Sequence, residues 1–287
     1  MVAGTRAAQV SEQPRFLDQV AIVTGATVGI GLSTCRELVR LGVRVVVVGR
    51  DAERVEQTVC ELQSIRPESA LGFRGDVRRL QDMFDAARAA QEGFGRIDIL
   101  VASAGILRAK GAGLKSLHLM RTNEWDEVLD TNLTGVFNAN RAVLPIMVAR
   151  RRGQVINVSS TSGRKAYAFD TAYCASKFGV IGLTEAIAEE VRPFGVRVDV
   201  LLPGAIDTPM WEQNGPFRRP DYALAAERVA DVIVSMLALP ADTVLGGPVV
   251  EPLGKPGARG WRESPTFRMG SATSGAVVRG SGRRPAE

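Results

Sequence analysis

Short apolar runs alternate with longer stretches of helical periodicity from Phe16 to about Leu253. The runs 20–24 (VAIVT), 43–48 (VRVVVV), 71–73, 97–101 (IDILV), 154–158 (QVINV), 196–201 (VRVDVL) and 248–251 (PVVE) are predicted as strands. Helices are predicted between them, over 29–41, 51–65, 78–93, 123–150, 171–192 and 221–238. In the second of these, Val55, Val59, Leu62 and Ile65 recur at helical spacing, and Pro67 stops the run. Unbroken apolar runs such as Val45–Val48 suit strands covered on both faces. The alternation with short connections predicts an α/β fold, a doubly wound, mostly parallel sheet with helices on both faces.

The pattern also divides the chain. Residues 1–15 show no periodicity and read as a flexible leader; 16–253 read as a single domain. From 254 to 287, seven Gly, three Pro and four Ser replace periodic apolar positions, which predicts a disordered basic tail. That tail matters for the net charge of +5. It holds seven Lys/Arg against Glu263 and Glu287, so residues 1–253 are neutral. A neutral body carries no basic face for nucleic acid, and none is expected as a partner.

Composition removes other classes. At 287 residues and 45% hydrophobic, the chain can bury a sizeable core without covalent staples. Cys35, Cys60 and Cys174 lie far apart and form no disulfide framework or CxxC knuckle. The lone His118 supports no His-rich metal site, so no metal is expected. No run of 18 apolar residues and no basic-then-apolar N-terminus is present, so neither a membrane span nor a secretory signal is expected. A cytoplasmic setting is the expectation.

Chemistry enters at the first strand, which runs into Thr24-Gly25-Ala26-Thr27-Val28-Gly29-Ile30-Gly31 before a helix. Glycines at this spacing permit a tight turn, a close backbone approach to a pyrophosphate, and close packing of helix on strand. The helix N-terminus adds free N–H groups and partial positive charge. TGxxxGIG is the coenzyme signature of the short-chain dehydrogenase/reductase family, and the resemblance continues in order and spacing over about 16–253. It runs through Gly75-Asp76-Val77, Ser103-Ala104-Gly105, Thr131-Asn132-Leu133-Thr134-Gly135, Asn157-Val158-Ser159-Ser160, Tyr173-Cys174-Ala175-Ser176-Lys177 and Pro203-Gly204-Ala205-Ile206-Asp207-Thr208. The resemblance implies a Rossmann-type, seven-stranded domain.

Tyr173 and Lys177 stand four apart in a helical stretch and share a face. A free tyrosine titrates near about pH 10, and a neighbouring ammonium favours the phenolate, so the expectation is a lowered phenol pKa. Tyr173 then trades a proton with a carbonyl or hydroxyl oxygen. The resemblance adds Ser160, 13 residues earlier, as the hydroxyl holding that oxygen, in preference to Ser159. It gives Lys177 a second role on the nicotinamide ribose and Asn132 a role in a water relay from the lysine. The catalytic set is thus Asn132, Ser160, Tyr173 and Lys177, with Ser160 and Tyr173 also holding substrate. For the coenzyme the resemblance assigns Gly25, Thr27, Val28, Gly29, Ile30 and Gly31, then Asp76 and Val77 at the adenine. Gly105, Tyr173, Lys177, Pro203, Gly204, Ile206 and Thr208 follow, the last four at the nicotinamide.

Departures sharpen the reading. Ala102-Ser103 replaces the family's usual asparagine pair, a change expected to touch coenzyme affinity or local stability before the reaction. The 106–124 segment is longer than usual, and the C-terminal end lacks the common glycine-rich close, unlike the ketoacyl reductases of fatty-acid synthesis. His118 reads as a surface or rim residue. After Thr208, Met210, Trp211, Phe217 and Tyr222 fall where the family builds its substrate lid. The second strand ends Val48-Gly49-Arg50, with no acid at 49 to hold the adenine ribose and a guanidinium at Arg50 suited to a 2′-phosphate. NADP(H) is therefore favoured over NAD(H). The expected function is interconversion of a secondary alcohol and a ketone. Two alternatives stand beside it: an NAD(H)-dependent dehydrogenase of the same fold, and a non-catalytic dinucleotide-binding scaffold. Helices 123–150 and 171–192 resemble the family's dimer-forming pair, so a homodimer or homotetramer is expected.

Overall fold

The computed structural model describes residues 16–240 and 242–254, so the readings made for 1–15 and 255–287 lie outside the described residues. Seven strands form one sheet: β1 (Val20–Thr24), β2 (Arg44–Gly49), β3 (Ala70–Arg74), β4 (Ile99–Ala102), β5 (Gly153–Val158), β6 (Val196–Pro203) and, numbered last, β9 (Val249–Val250). Their order is β3-β2-β1-β4-β5-β6-β9, and every pairing is parallel.

The period-2 alternation of strand side chains makes two cores. Ala21 and Val23 of β1 face α1 (Gly29–Arg40), α2 (Ala52–Ile65) and α7 (Ala226–Leu237), where Leu38, Leu62 and Ile233 are buried. Val20 and Ile22 face α3 (Leu80–Phe94), α5 (Gly135–Ala149) and α6 (Thr171–Val191), against Met83, Val143 and Ile187. This is the doubly wound arrangement the unbroken valine run required. No helix among the described residues is long and apolar enough to cross a membrane.

Two predicted helices are altered, both near the cleft. The expected helix over 123–150 is instead α4 (Thr122–Leu129), a π-helical turn (Asp130–Thr134) and α5. At the junction a Cβ on Gly135 would lie 2.6 Å from Val77 Cγ2, so the helix crosses close to the segment after β3. The helix expected from 221 begins only at Ala226, because β8 (Leu224–Ala225) pairs with β7 (Ile206–Asp207). Neither short strand has a periodic apolar signal. The glycine turn, Gly75-Asp76-Val77, Ser103-Ala104-Gly105, Ser159-Ser160 and the segment from Gly204 to Thr208 follow the C-terminal ends of parallel strands and so share one edge of the sheet, where doubly wound folds bind ligands. The 131–135 and 173–177 motifs reach that edge from helical segments.

Candidate active site

At one end of this edge the chain meets itself through backbone. Gly25 has φ +65°, and a Cβ there would sit 2.7 Å from Ala104 Cα, so the β1–α1 turn rests on the loop after β4. A Cβ on Gly31 would sit 2.3 Å from the Gly25 carbonyl oxygen, which is how closely α1 closes on the turn. Val28 is the extended N-cap of α1, and no side chain caps the helix. Its first N–H groups and positive dipole end are left to an anion. Thr27 and Ile30 flank this cradle half-buried. Gly29 lies against Thr208, with a Cβ reaching 2.9 Å from Thr208 Cγ2, so two motifs far apart in sequence form adjacent walls. Pro203 closes β6, the Gly204 N–H bonds the Val250 carbonyl at 2.9 Å, and Ile206 is buried in β7.

Charge gathers where the adenosine end is expected. Arg78 forks onto Asp76 (2.5–3.0 Å), and its backbone N–H adds a further bond at 3.0 Å. Burial of Asp76 opposes its ionisation, but the bonds from Arg78 and the charges of Arg78 and Arg50 outweigh it and hold the carboxyl below its ordinary range. Arg50 is exposed, and its carbonyl accepts from Arg74 Nε at 3.4 Å. Buried Val77 is fixed by a 2.8 Å bond from Asn138 Nδ2 to its carbonyl, a contact the sequence reading missed. An asparagine inside an otherwise apolar helical run was the available signal.

At the other end the proposed catalytic residues converge. Tyr173 lies in the first turn of α6, 9% exposed, in an apolar cluster with Ile106, Val128, Ala172 and Met210. Burial pushes its phenol up to about 12, against a hydrogen bond with Ser160 that favours the phenolate; charges at Asp170 and Cys174 push the same way as burial. This corrects the expectation of a lowered phenol. Lys177 stacks its ammonium 5.7 Å from the Tyr173 ring centre but donates to the Val158 carbonyl at 2.9 Å. Burial pulls the lysine itself down to about 8. Ser160 faces Tyr173 and accepts from the Ser162 N–H at 3.1 Å, whereas the Ser159 hydroxyl is spent on the Lys177 carbonyl at 2.8 Å.

Asn132 sits in the π-helical turn, wholly buried. Its Oδ1 accepts from the Ile106 N–H (2.8 Å), and its Nδ2 donates to the Ile106 carbonyl (2.8 Å) and Ser176 Oγ (3.1 Å). The side chain thus clamps the loop after β4 and, through it, Gly105, whose Cβ would come 3.6 Å from Lys177 Nζ.

The segment 106–124 forms one wall of a cleft of about 330 Å³ beside Tyr173, part of it open to solvent. Lys115 Nζ bonds both oxygens of buried Glu124 at 2.8 and 3.0 Å. With the Arg121 backbone N–H this holds the Glu124 carboxyl down at about 2. His118 is exposed in a short 3-10 turn (Leu117–Leu119). Of the four residues expected in a lid, Met210 joins the Tyr173 cluster. Trp211 instead bonds the Ile206 carbonyl through Nε1 at 2.8 Å, and Phe217 and Tyr222 lie exposed. Arg108 and Gln213, which tie this wall to the segment after Thr208, had no motif to reveal them.

A family profile described as short chain dehydrogenase matches residues 19–219. A protein of Streptomyces virginiae named as the putative ketoacyl reductase of the monensin polyketide synthase is 40% identical over 220 residues, 76% of this chain and 80% of that one. Among solved structures, a single-substitution variant of the actinorhodin polyketide ketoreductase with NADPH is 30% identical, with a TM-score of 0.74 over 82% of this chain and 96% of that one. The 3-ketoacyl-(acyl-carrier-protein) reductase of Brucella melitensis with NADH is 27% identical, with a TM-score of 0.74 over 82% and 97%. The chain belongs to the short-chain dehydrogenase/reductase family. It is an oxidoreductase acting on CH–OH/C=O groups with NAD(P). The site fits the coenzyme: Gly25, Gly29 and Gly31 let the turn close where any Cβ would collide with Ala104, Thr208 or the Gly25 carbonyl, and α1 presents uncapped donors.

Proposed function

We propose that the protein interconverts a secondary alcohol and a ketone with NADP(H), using Tyr173 as general acid and base. The observation that carries this reading is the convergence of Ser160 and Lys177 on one buried phenol. When bound, the nicotinamide supplies or accepts the hydride. In reduction, Tyr173 gives its proton to the carbonyl oxygen while Ser160 Oγ orients that oxygen. The Lys177 ammonium, facing the ring, stabilises the phenolate left behind. A phenol held up to about 12 keeps its proton until the substrate oxygen takes it. Asn132 holds the 105–107 loop beside Lys177.

The preference for NADP(H) is supported by Arg50 after β2, with Arg74 and Arg78 beside it and no acid at 49. Gly25, Thr27, Val28, Gly29, Ile30 and Gly31 cradle the pyrophosphate, Asp76 and Val77 take the adenosine side, Gly105 lines the coenzyme beside Lys177, and Pro203, Gly204, Ile206 and Thr208 take the nicotinamide. Phe137 and Phe178, 42% and 46% exposed on α5 and α6, support a homo-oligomer joined through that helix pair. A steady-state screen of ketones and secondary alcohols with both coenzymes tests the reading. Coenzyme binding without turnover across the screen would favour the scaffold instead.

A further inference from the structure

We propose that Arg108 is a positioning residue that latches segment 209–214, whose Met210 packs on the Tyr173 cluster, and neutralises Asp170 at the start of the helix bearing Tyr173. The proposal rests on the oxidoreductase reading of Tyr173 given above. Arg108 leaves the loop after β4, and its side chain is only 9% exposed. Nη1 donates to the Phe169 carbonyl at 2.8 Å, and Nη2 to Asp170 Oδ1 at 2.6 Å and Asn214 Oδ1 at 3.2 Å. The backbone N–H groups of Leu107 and Arg108 both reach Gln213 Oε1, at 2.9 and 3.3 Å. Three segments distant in sequence are therefore joined at one guanidinium. Phe169 adopts φ +67°, an uncommon backbone state for a bulky residue, in the segment that presents its carbonyl to Arg108.

The chemistry explains why an arginine stands here. A planar fork bonds acceptors in different directions, whereas an ammonium offers one point charge. Nε is buried with no hydrogen-bond partner among the described residues, a cost kept only where the other bonds over-determine the side chain. Tyr173 is faced by Lys177 and Cys174 on its own helix, Ser160 after β5, and Asp170 with Arg108 at the helix start. Across the cleft stands Glu124, held by Lys115. The negative charge of Asp170 works against the phenolate, and Arg108 offsets it at 2.6 Å.

The test uses the full chain and four variants: Arg108→Ala, Arg108→Lys, Asp170→Asn, and Arg108→Ala with Asp170→Asn. Amide exchange over 209–214 needs no substrate. It should quicken about tenfold or more in Arg108→Ala, the loss of a bond to a charged group, and stay slow in Asp170→Asn. Unchanged exchange in Arg108→Ala overturns the latch. In kinetics, Arg108→Ala should raise the ketone KM about tenfold with NADPH affinity unchanged. It should also move the acidic limb of alcohol oxidation up by about half a unit to one unit, through the unpaired Asp170 charge. Arg108→Lys should restore that limb but only part of KM, and the double variant should restore the limb and not KM. A uniform loss of kcat, with no displaced limb and no rescue by Asp170→Asn, would make Arg108 merely structural. Absence of turnover in the unmodified protein would defeat the catalytic reading of Tyr173 alone, and the exchange result would still decide the latch.

Discussion

The end of the cleft proposed for the coenzyme and the end proposed for the substrate are held by different parts of the chain. At the coenzyme end, Gly25, Gly29 and Gly31 bring backbone against backbone or methyl at distances no side chain permits. At the substrate end, Asn132, Arg108 and Gln213 reach across from separate segments and fix the loop after β4 and its neighbours by hydrogen bonds. Backbone proximity serves a group that NAD(H) and NADP(H) share, the pyrophosphate. Side-chain ties set a shape that one substrate needs, and they can be exchanged without moving the sheet.

The largest expected effect separates the two ends outright. Tyr173→Phe removes the proton donor and leaves the glycine cradle untouched, so turnover should fall about 100-fold or more, since general acid–base catalysis contributes about 10²–10⁴. NADPH affinity should stay within about twofold, a change below roughly half a kcal/mol. Steady-state turnover and fluorescence titration on the same preparation measure both; normal turnover with an authentic substrate would remove Tyr173 from the mechanism.

Next comes coenzyme choice. A bond to a charged group is worth about 1.5–3 kcal/mol, and about 1.4 kcal/mol is tenfold, so NADPH should bind roughly 10- to 100-fold tighter than NADH. Arg50→Ala should erode this mainly by weakening NADPH. Equal affinities in the unmodified protein would reduce Arg50 to a solvated residue at the head of α2.

Lys177 links the ends through stability. The unfolded chain holds this proton to the ordinary 10.5, and the folded protein releases it near 8. Between these pH values the unfolded state binds more protons, so the lysine's contribution to stability rises with pH; below 8 its buried charge costs the full amount. That gap corresponds to about 3 kcal/mol, offset by about 1 kcal/mol for the lost bond to Val158. Lys177→Met should therefore be about 2 kcal/mol more stable at pH 7, with the margin gone by about pH 10.5. Urea unfolding at both pH values checks it; a margin independent of pH would contradict the buried charge.

The contrast also explains what could be read from the chain. Backbone sites leave glycines and fixed spacings in the sequence, so the cradle, Ser160, Tyr173 and Lys177 were legible, as was the sheet from Val45–Val48 and its fellows. The resemblance singles out Ser160 over Ser159 by its distance from Tyr173, and Ser160 is the one that faces the phenol while Ser159 bonds the Lys177 carbonyl. The π-helical turn was not legible: Asp130–Thr134 continues the helical pattern on either side, and only the clamp on Ile106 and the crossing at Val77 require the break. The phenol shift was misjudged for a related reason. Spacing put Lys177 on the right face, but burial, which no spacing reports, raises the phenol while the Lys177 ammonium is bonded to the Val158 carbonyl. Arg108 and Gln213 act through tertiary contact and left no local pattern.

The smallest effect tests whether the coenzyme end is as crowded as its glycines imply. Gly49→Asp would place a ribose acceptor where NAD-using relatives carry one and repel the 2′-phosphate. Its Cβ, however, would meet Thr27 Cγ2 at 2.9 Å and Val55 Cγ2 at 3.0 Å. Val55 is buried in α2 and cannot yield, while Thr27 is a half-buried loop residue that can. Overpacking costs about 1–3 kcal/mol, the same size as the roughly 1.5–3 kcal/mol of a bond to a charged group, so the two cancel. Gly49→Asp alone should weaken NADPH yet change NADH affinity by less than about threefold. Adding Thr27→Ser removes the obstructing methyl and should let NADH bind a few-fold tighter than in the single variant. Titration of both coenzymes into the two variants decides the matter. A tenfold gain in NADH affinity from Gly49→Asp alone would show that the turn yields freely, and the rigid backbone end would be no stiffer than the side-chain end opposite.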